Sequence, residues 1–210
     1  MNILTSLEWR YATKKFDSKK ILSKNQIDTL KEAFNLTATS YGLQPIKMLV
    51  IQNKQLQKEL ISHTMNQTQV GDASHVLVIC VQDKLTENDI ENYFKLVKKG
   101  RNTSDDVLNP FKAYLKESLP SKTTSEIFSW GKNQAYLALG NLLTVAAAEK
   151  IDSCPMEGFN PDKYSELLNL KEHHITPVLV LPVGFRAKDD FMKDLVKIRK
   201  KITDVIIEIN

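Results

Sequence analysis

One long apolar segment constrains the fold more than any other part of the chain. The stretch from Thr123 to Lys150 is periodic and predicts a helix with an unusually wide apolar surface, formed by Ile127, Trp130, Tyr136, Leu139, Leu143 and Ala147. A helix that is apolar on so many sides is expected to be buried on more than one of them. Gly140 lies in its middle, where glycine costs about 1 kcal/mol relative to alanine. We therefore expect a close helix crossing at Gly140 and, with it, a contact between subunits.

The N-terminal part of the chain predicts helices and strands in the order α-α-β-α-β. Residues 2–12 carry apolar side chains at helical spacing, and Ser23 with Gln26 forms a capping box that begins a second helix. Two short segments rich in Val and Ile, 46–52 and 75–82, predict strands. A helix from about residue 53 to residue 65 is expected between them.

The rest of the chain adds an excursion and two further strands. Thr86 with Asp89 is a second capping box, followed by a polar, loop-like stretch over 100–109 before Pro110. Asn160 and Pro161 predict a short helix to about residue 168, and 175–185 predicts a strand with irregular ends. Residues 205–209 predict a last strand that pairs with a distant sheet edge, in this chain or in a partner.

The composition limits the class of protein. A chain of 210 residues, 42% hydrophobic and 26% charged, can bury a core alone, and we interpret residues 1–210 as one domain with an excursion at about 86–120. The sequence has neither a membrane-length apolar run nor a signal peptide, which predicts a cytoplasmic protein. Cys80 and Cys154 have no spacing typical of a disulfide framework or a zinc site.

The net charge of +4 is compatible with a nucleic acid or with a small phosphate-bearing ligand. Paired lysines without an interleaved aromatic stripe argue against a nucleic acid partner. The seven glycines form neither a Rossmann nor a P-loop motif, so a nucleotide would have to be held by other means. The candidates are Arg10 with Lys14, Lys197 with Arg199, and the turn 154–159. Taken alone, the two cation pairs are more simply explained as solvated charge, and the turn as an ordinary connection between helices.

Seven short motifs, taken together and in order, resemble the oxygen-insensitive nitroreductase and NAD(P)H:flavin oxidoreductase family, whose members depend on FMN. They are RYATKKFD at 10–17, QP at 44–45, DASHV at 72–76, GNLL at 140–143, PMEGF at 155–159, PVG at 182–184 and KIR at 197–199. The resemblance implies an α+β fold with a central mixed sheet surrounded by helices. It also implies an intertwined homodimer in which the C-terminal strand is exchanged to the partner sheet.

The same resemblance implies an FMN site at the dimer interface and no metal. Arg10, Lys197 and Arg199 would hold the phosphate, and Lys14 would lie near the pyrimidine edge of the ring. A turn would offer the backbone N–H of Glu157 or Gly158 to the flavin N5. The other implied cofactor-binding residues are Tyr11, Ala12, Thr39, Ser40, Gln44, Asn66, Gln69, Pro155, Met156 and Ile198, of which Thr39, Ser40 and Gln44 would reach the flavin from the second subunit.

The implied substrate and nicotinamide side comprises Lys14, Tyr41, Asn66, Gln69 and an aromatic residue, either Phe111 or Tyr114. Three positions depart from the family pattern. Ala12 replaces a serine, Gln69 replaces a lysine, and Gly42 replaces an asparagine near the substrate loop. The loss of a positive charge at Gln69 predicts a lower flavin reduction potential, and Gly42 prevents an inference about acceptor preference.

The implied function is an FMN-dependent NAD(P)H oxidoreductase that reduces nitroaromatic, quinone or flavin acceptors by ping-pong hydride transfer through bound FMN. Two alternatives within the flavoprotein class stay open at this point. One is a flavin or dihydropteridine reductase with a narrower acceptor, and the other is a flavin-binding protein without turnover. A nucleic-acid binder, disfavoured by the motifs, remains the third option. The residues do not distinguish NADH from NADPH.

Overall fold

The computed structural model describes residues 2–209. Within them the helices are α1 (Ile3–Trp9), α2 (Lys24–Asn35), α3 (Lys54–Ile61), α4 (Gln69–Asp72), α5 (Glu87–Arg101), α6 (Asp105–Ser118), α7 (Thr124–Ala148) and α8 (Pro161–Leu167). The strands are β1 (Ile46–Ile51), β2 (His75–Gln82), β3 (Asp152–Ser153) and β4 (Ile175–Gly184). Short 3₁₀ turns lie at Ser40–Gly42, Leu170–His173 and Ile202–Asp204.

Side-chain caps decide where several helices begin. Both predicted capping boxes are confirmed, at Ser23 for α2 and at Thr86 for α5, and a third at Thr123 begins α7. Each cap hydroxyl accepts a backbone N–H that the first helical turn leaves unpaired. The first helix ends earlier than expected, because Arg10 adopts extended backbone (φ −74°, ψ 145°). Residues 10–15 are consequently released from the helix.

The sheet confirms the α+β class and corrects its expected strand directions. The strand order is β1-β2-β4-β3, and all three pairings are antiparallel. The mixed sheet that we expected is not present among these four strands; parallel pairing occurs in an isolated bridge between Ala12 and Ser153. The reason is topological, because α3 and α4 bring the chain back to the end of the sheet where β1 stopped. A parallel neighbour would need a connection to the opposite end.

Helices cover both faces of the sheet, so β2 is buried from both sides. Leu77, Ile79 and Val81 face a cluster that includes α2 and α7, and the alternate residues face a second cluster with α3 and α8. This alternation follows from the two-residue period of a strand. In β4, Pro177 lies at a register shift between Ile79 and Cys80 of β2, where proline is tolerated.

The segment 86–120 is more helical than the sequence indicated. The expected loop over 100–109 is wrong, since α5 continues to Arg101 and α6 already includes Pro110. A third apolar cluster joins these two helices, and Lys112 and Lys116 both pair with Glu91. Burial and ion pairing across the helix pair therefore outweigh the one hydrogen bond that proline removes.

The C-terminal strand that we expected over 205–209 is not formed within the chain. Residues 202–204 form a 3₁₀ turn and the residues after it have no regular structure. Ile207 is 88% exposed. A strand requires a neighbouring strand to pair with, and among residues 2–209 this segment pairs with none, so exchange to a partner sheet stays a prediction. In the part of the chain that the structure describes, no helix has the length and apolarity to cross a membrane.

Candidate functional site

Three predicted cations, Arg10, Lys197 and Arg199, meet around one cavity. The cavity measures about 530 Å³ and is lined by residues 8–12 and by part of the segment 192–199. One wall follows α1, and the other belongs to an arm, residues 191–199, that has no helix or strand. Residues separated by about 190 positions in the sequence thus form one positively charged site. We call this site the cation cluster.

The cation cluster brings positive charges close together, and one of its donors has no acceptor among the described residues. Arg10 Nε is buried without a hydrogen-bond partner among residues 2–209. Burial and the charge of Arg199 lower the Arg10 pKa. Burial, Arg10 and Arg199 lower the pKa of Lys197, while Glu8 opposes that shift. An orphaned donor beside mutually repelling cations is the arrangement that a bound anion would relieve.

The end of α1 holds Lys197 in place. The Nζ of Lys197 donates hydrogen bonds to the carbonyl oxygen of Leu7 and, at 2.5 Å, to the carbonyl oxygen of Arg10. Carbonyl groups in the last turn of a helix have no partner within the helix, and the helix dipole favours a cation there. The lysine therefore links the arm 191–199 to the point where α1 ends.

Two side chains that the sequence analysis missed support this region. Asp190 is buried and accepts hydrogen bonds from the backbone N–H groups of Lys14 and Lys15. Arg186 pairs with buried Asp152 and stacks over the rings of Trp9 and Tyr11, 4.1 and 4.5 Å from their centroids. The sequence carries no local signal for either contact, because Lys14 lies 176 positions from Asp190 and Arg186 lies 34 positions from Asp152.

The predicted turn over 155–158 lies against a second predicted segment. Gly158 accepts a hydrogen bond from Gln67 Nε2 at 3.4 Å, and a Cβ atom on Gly158 would lie 3.0 Å from Met65 Sδ. The structure thus brings the turn next to residues 65–67, the segment that includes Asn66. Glu157 projects outward and accepts a hydrogen bond from Tyr136 of α7 at 2.6 Å. Pro155 is partly exposed and Met156 is buried.

Strained backbone occurs in two of the predicted site segments. Met65 and Asn66 have φ values of 52° and 56°, and Tyr41 and Gln44 have 59° and 48°. Left-handed backbone is uncommon for residues other than glycine and often accompanies functional sites. Asn66 suits this conformation, because asparagine is enriched in left-handed backbone, whereas Met65, Tyr41 and Gln44 have no such local preference.

The predicted acceptor-side residues Tyr41, Phe111 and Tyr114 come together within one chain. Tyr41 contacts Phe111 with ring centroids 5.9 Å apart, and Phe111 stacks on Tyr114 at 6.3 Å. A side-chain hydrogen bond with Tyr114 raises the pKa of Tyr41. Trp130, which the sequence analysis did not assign to the site, lies 6.2 Å from Tyr41. We call these four rings the aromatic cluster.

The loop that precedes Tyr41 is fixed to α7. The backbone N–H of Ser40 donates to Gln134 Oε1 at 3.0 Å, and Thr39 Oγ1 accepts from the N–H of Gln44 at 3.3 Å. Gly42 packs against Tyr93, where any Cβ atom would clash at 2.7 Å. Gly42, at the position where the family pattern has an asparagine, therefore packs closely against α5.

The remaining predicted residues are only partly brought together by the two clusters. Tyr11, Ala12 and Ile198 line the cation cluster, and Asp190 holds the backbone N–H of Lys14. Gln69 is the first residue of α4 and is buried, while Asn66 is exposed. Helix α7 contacts two of the predicted segments, the loop at Ser40 through Gln134 and the turn at Glu157 through Tyr136.

Known proteins show the same fold and a related sequence. The model of the "Nitroreductase family" matches residues 7–185. A Staphylococcus aureus protein named "Putative NAD(P)H nitroreductase" is 34% identical over 195 residues, covering 89% of this chain and 87% of its own.

Two solved structures share the fold at lower identity. A Staphylococcus epidermidis protein titled "putative NAD(P)H:FMN oxidoreductase" has a TM-score of 0.88 at 17% identity, covering 99% of this chain and 96% of its own. An Exiguobacterium sibiricum "putative nitroreductase in complex with FMN" has a TM-score of 0.86 at 20% identity, covering 99% and 97%. The match of the family model and the Staphylococcus aureus relative establish that this chain belongs to the nitroreductase family.

Proposed function

We propose that this protein is a homodimeric, FMN-dependent NAD(P)H oxidoreductase that reduces nitroaromatic, quinone or flavin acceptors in a ping-pong sequence. Membership of the nitroreductase family supports the enzyme class and the cofactor. The observation that carries the proposal is the cation cluster, in which Arg10, Lys197 and Arg199 converge on one cavity. The acceptor classes and the ping-pong order are inferred from the resemblance.

The residues of the cation cluster fit the phosphate group of FMN. The buried Arg10 Nε needs an acceptor, and a phosphate dianion would supply several acceptor oxygens to the three cations. The P-loop and Rossmann alternatives are absent from the sequence, so this cluster is the principal candidate for a phosphate. FMN, when bound, supplies a carrier for two electrons between NAD(P)H and the acceptor.

The protein's own residues would then orient and tune the site. Lys14 would place positive charge near the pyrimidine edge, where a reduced flavin accumulates negative charge. The backbone N–H of Glu157 or Gly158 would donate toward N5. We assign the protein no side-chain acid, base or nucleophile, because positioning and electrostatics are sufficient for hydride transfer.

We propose that the binding partner is a second copy of the same chain. The face of α7 with Leu137 and Gly140 is exposed and borders a cavity of about 480 Å³ that Leu36 also lines. Apart from the neighbouring backbone of α7 itself, no heavy atom of residues 2–209 lies within 4 Å of a Cβ atom built on Gly140, so these residues do not make the close helix crossing expected there. The apolar side chains of the described residues after 202 are exposed as well. A second copy could cover both surfaces, with the loop 39–44 reaching the partner's flavin.

The visible spectrum tests the proposal directly. We expect a flavin absorbance band in the purified protein, or after incubation with FMN, that bleaches under anaerobic NADH or NADPH. Reoxidation by a nitroaromatic, a quinone or free flavin should then restore the band, and steady-state rates at several acceptor concentrations should give parallel double-reciprocal lines. A protein that FMN does not colour would refute the cofactor assignment. Coloured protein that neither nicotinamide bleaches would support the flavin-binding protein without turnover.

The narrower reductase remains a second candidate because Gly42 departs from the family residue near the substrate loop. Comparison of kcat/KM across a nitroaromatic, a quinone, free flavin and a dihydropteridine distinguishes the two enzymes. A broad reductase should vary modestly across this set. A preference of several hundredfold for the flavin or the pteridine would favour the narrow reductase.

A further inference from the structure

The buried carboxylate of Asp190 links two parts of the cation cluster that are distant in sequence. Its side chain is buried, and the residue is 1% exposed. Oδ2 accepts from the N–H groups of Lys14 and Lys15 at 2.9 and 3.1 Å and from the hydroxyl of Tyr11 at 3.1 Å. Oδ1 accepts from the N–H of Met192 at 2.9 Å. One side chain therefore joins the loop after α1 to the start of the arm 191–199.

The arm depends on such links because it has no helix or strand of its own. Lys197 reaches the carbonyl oxygens at the end of α1, and the N–H of Ala187 donates to the carbonyl oxygen of Lys15 at 2.8 Å. Asp190 lies between these two contacts along the chain. The distance from Arg10 to the cations of the arm is consequently controlled by a small number of hydrogen bonds.

The contacts of Asp190 require a carboxylate. Four donors point at its two oxygens, so an amide at this position would set an NH₂ group against at least one N–H or O–H donor. Burial alone would raise the Asp190 pKa, but the hydrogen bonds from Met192, Lys15, Lys14 and Tyr11 lower it overall. The side chain is therefore ionised at neutral pH, where the structure uses it as an acceptor only.

We propose that Asp190 is a positioning residue that sets the arm carrying Lys197 and Arg199 against Arg10, and that it thereby determines the preference of the site for a phosphorylated flavin. The inference rests on the proposed function, because it takes the bound anion to be the FMN phosphate. Riboflavin provides the matched ligand, since it has the same ring system without the phosphate. The ratio of the riboflavin Kd to the FMN Kd reports the phosphate contribution alone.

The test measures this ratio by flavin fluorescence for the full-length chain and for Asp190→Asn. We expect the variant to lose about tenfold to a hundredfold of the FMN preference, the size associated with displaced charge-assisted contacts, while the riboflavin Kd changes little. Asp189→Asn is the matched control. Asp189 is the exposed neighbour and pairs with the Nζ of Lys15. The ratio should not change in this variant, because the hydrogen bonds of Asp190 remain in place.

The outcomes separate this inference from the proposed function. If the unmodified protein does not prefer FMN to riboflavin, the FMN site itself is wrong. If it does, and Asp190→Asn weakens both ligands equally or neither, Asp190 is only a structural residue and the inference is overturned. Should Asp190→Asn not fold, Tyr11→Phe removes one donor and keeps the ring, and we expect the ratio to fall by about twofold to fivefold. An unchanged ratio in that variant would also overturn the inference.

Discussion

The cation cluster and the aromatic cluster are assembled in different ways. The cation cluster is held by partly buried hydrogen bonds to the chain's own backbone, through Asp190 and Lys197. The aromatic cluster consists of rings on a loop and on two helices, and Tyr41 and Tyr114 remain 41% and 52% exposed. Its rings contact one another, yet they leave apolar surface facing outward.

This difference suggests that the cation cluster and the aromatic cluster would have different functions. An anion requires directed donors at fixed positions, which backbone hydrogen bonds can maintain. A flat, variable acceptor requires apolar surface with few directional demands, which exposed rings provide. We therefore expect variants of the cation cluster to change cofactor affinity and variants of the aromatic cluster to change acceptor preference.

The largest effect is expected at Arg10. Arg10→Gln removes the partly buried guanidinium, including its buried Nε, so FMN affinity should fall by about a hundredfold or more, as for loss of a charge-assisted contact to phosphate. Isothermal titration with FMN measures the change. Arg101→Gln at the exposed end of α5 is the control and should bind FMN normally. A Kd for Arg10→Gln within threefold of the original, on the order of experimental scatter, would contradict the phosphate assignment.

The second prediction concerns the subunit contact. Leu137→Glu places a charge on the exposed face of α7, and burying an unpaired carboxylate costs several kcal/mol, so the dimer should dissociate at micromolar concentration. Sedimentation velocity measures the outcome. Leu96→Glu makes the same change on the exposed side of α5 and should leave the mass unchanged. A Leu137→Glu protein that sediments as a dimer would show that the interface lies elsewhere.

A smaller effect is expected at Phe111, the ring that contacts Tyr41, Phe94 and Tyr114. Phe111→Ala removes the centre of the aromatic cluster, and we expect kcat/KM to change by about tenfold for some acceptors, with the FMN Kd unchanged. Val107→Ala on the exposed side of the same helix is the control. Equal loss for every acceptor, accompanied by weaker FMN binding, would remove the distinction between the two clusters.

The smallest effect is expected at Gln69, the position where the family pattern has a lysine. Gln69→Lys restores a positive charge and should raise the flavin reduction potential by roughly 30 mV, the shift that corresponds to tenfold stabilisation of a two-electron couple. A spectroelectrochemical titration measures the potential. Gln55→Lys on the surface of α3 adds the same charge away from the site and should leave the potential unchanged. A potential in Gln69→Lys that is equal to or lower than the original would contradict the prediction.

Much of the fold followed from local signals. The capping boxes at Ser23 and Thr86 predicted the starts of α2 and α5, because a hydroxyl and a polar side chain three residues later satisfy the same helix end in almost any context. The strand over 75–82 was predicted at its observed limits from its β-branched, apolar composition. The loop expected before Pro110 was wrong, since packing between α5 and α6 outweighed a local helix breaker.

The sequence by itself determined most of the helices and strands and, through seven short motifs, the family and the candidate cations. The tertiary structure decided which of those cations meet, that Asp190 links them, and that Tyr41, Phe111 and Tyr114 form one cluster. Caps and strand propensity act over a few residues and can be read locally. The contacts of Asp190 connect positions about 175 residues apart, and only the folded chain brings them within hydrogen-bonding distance.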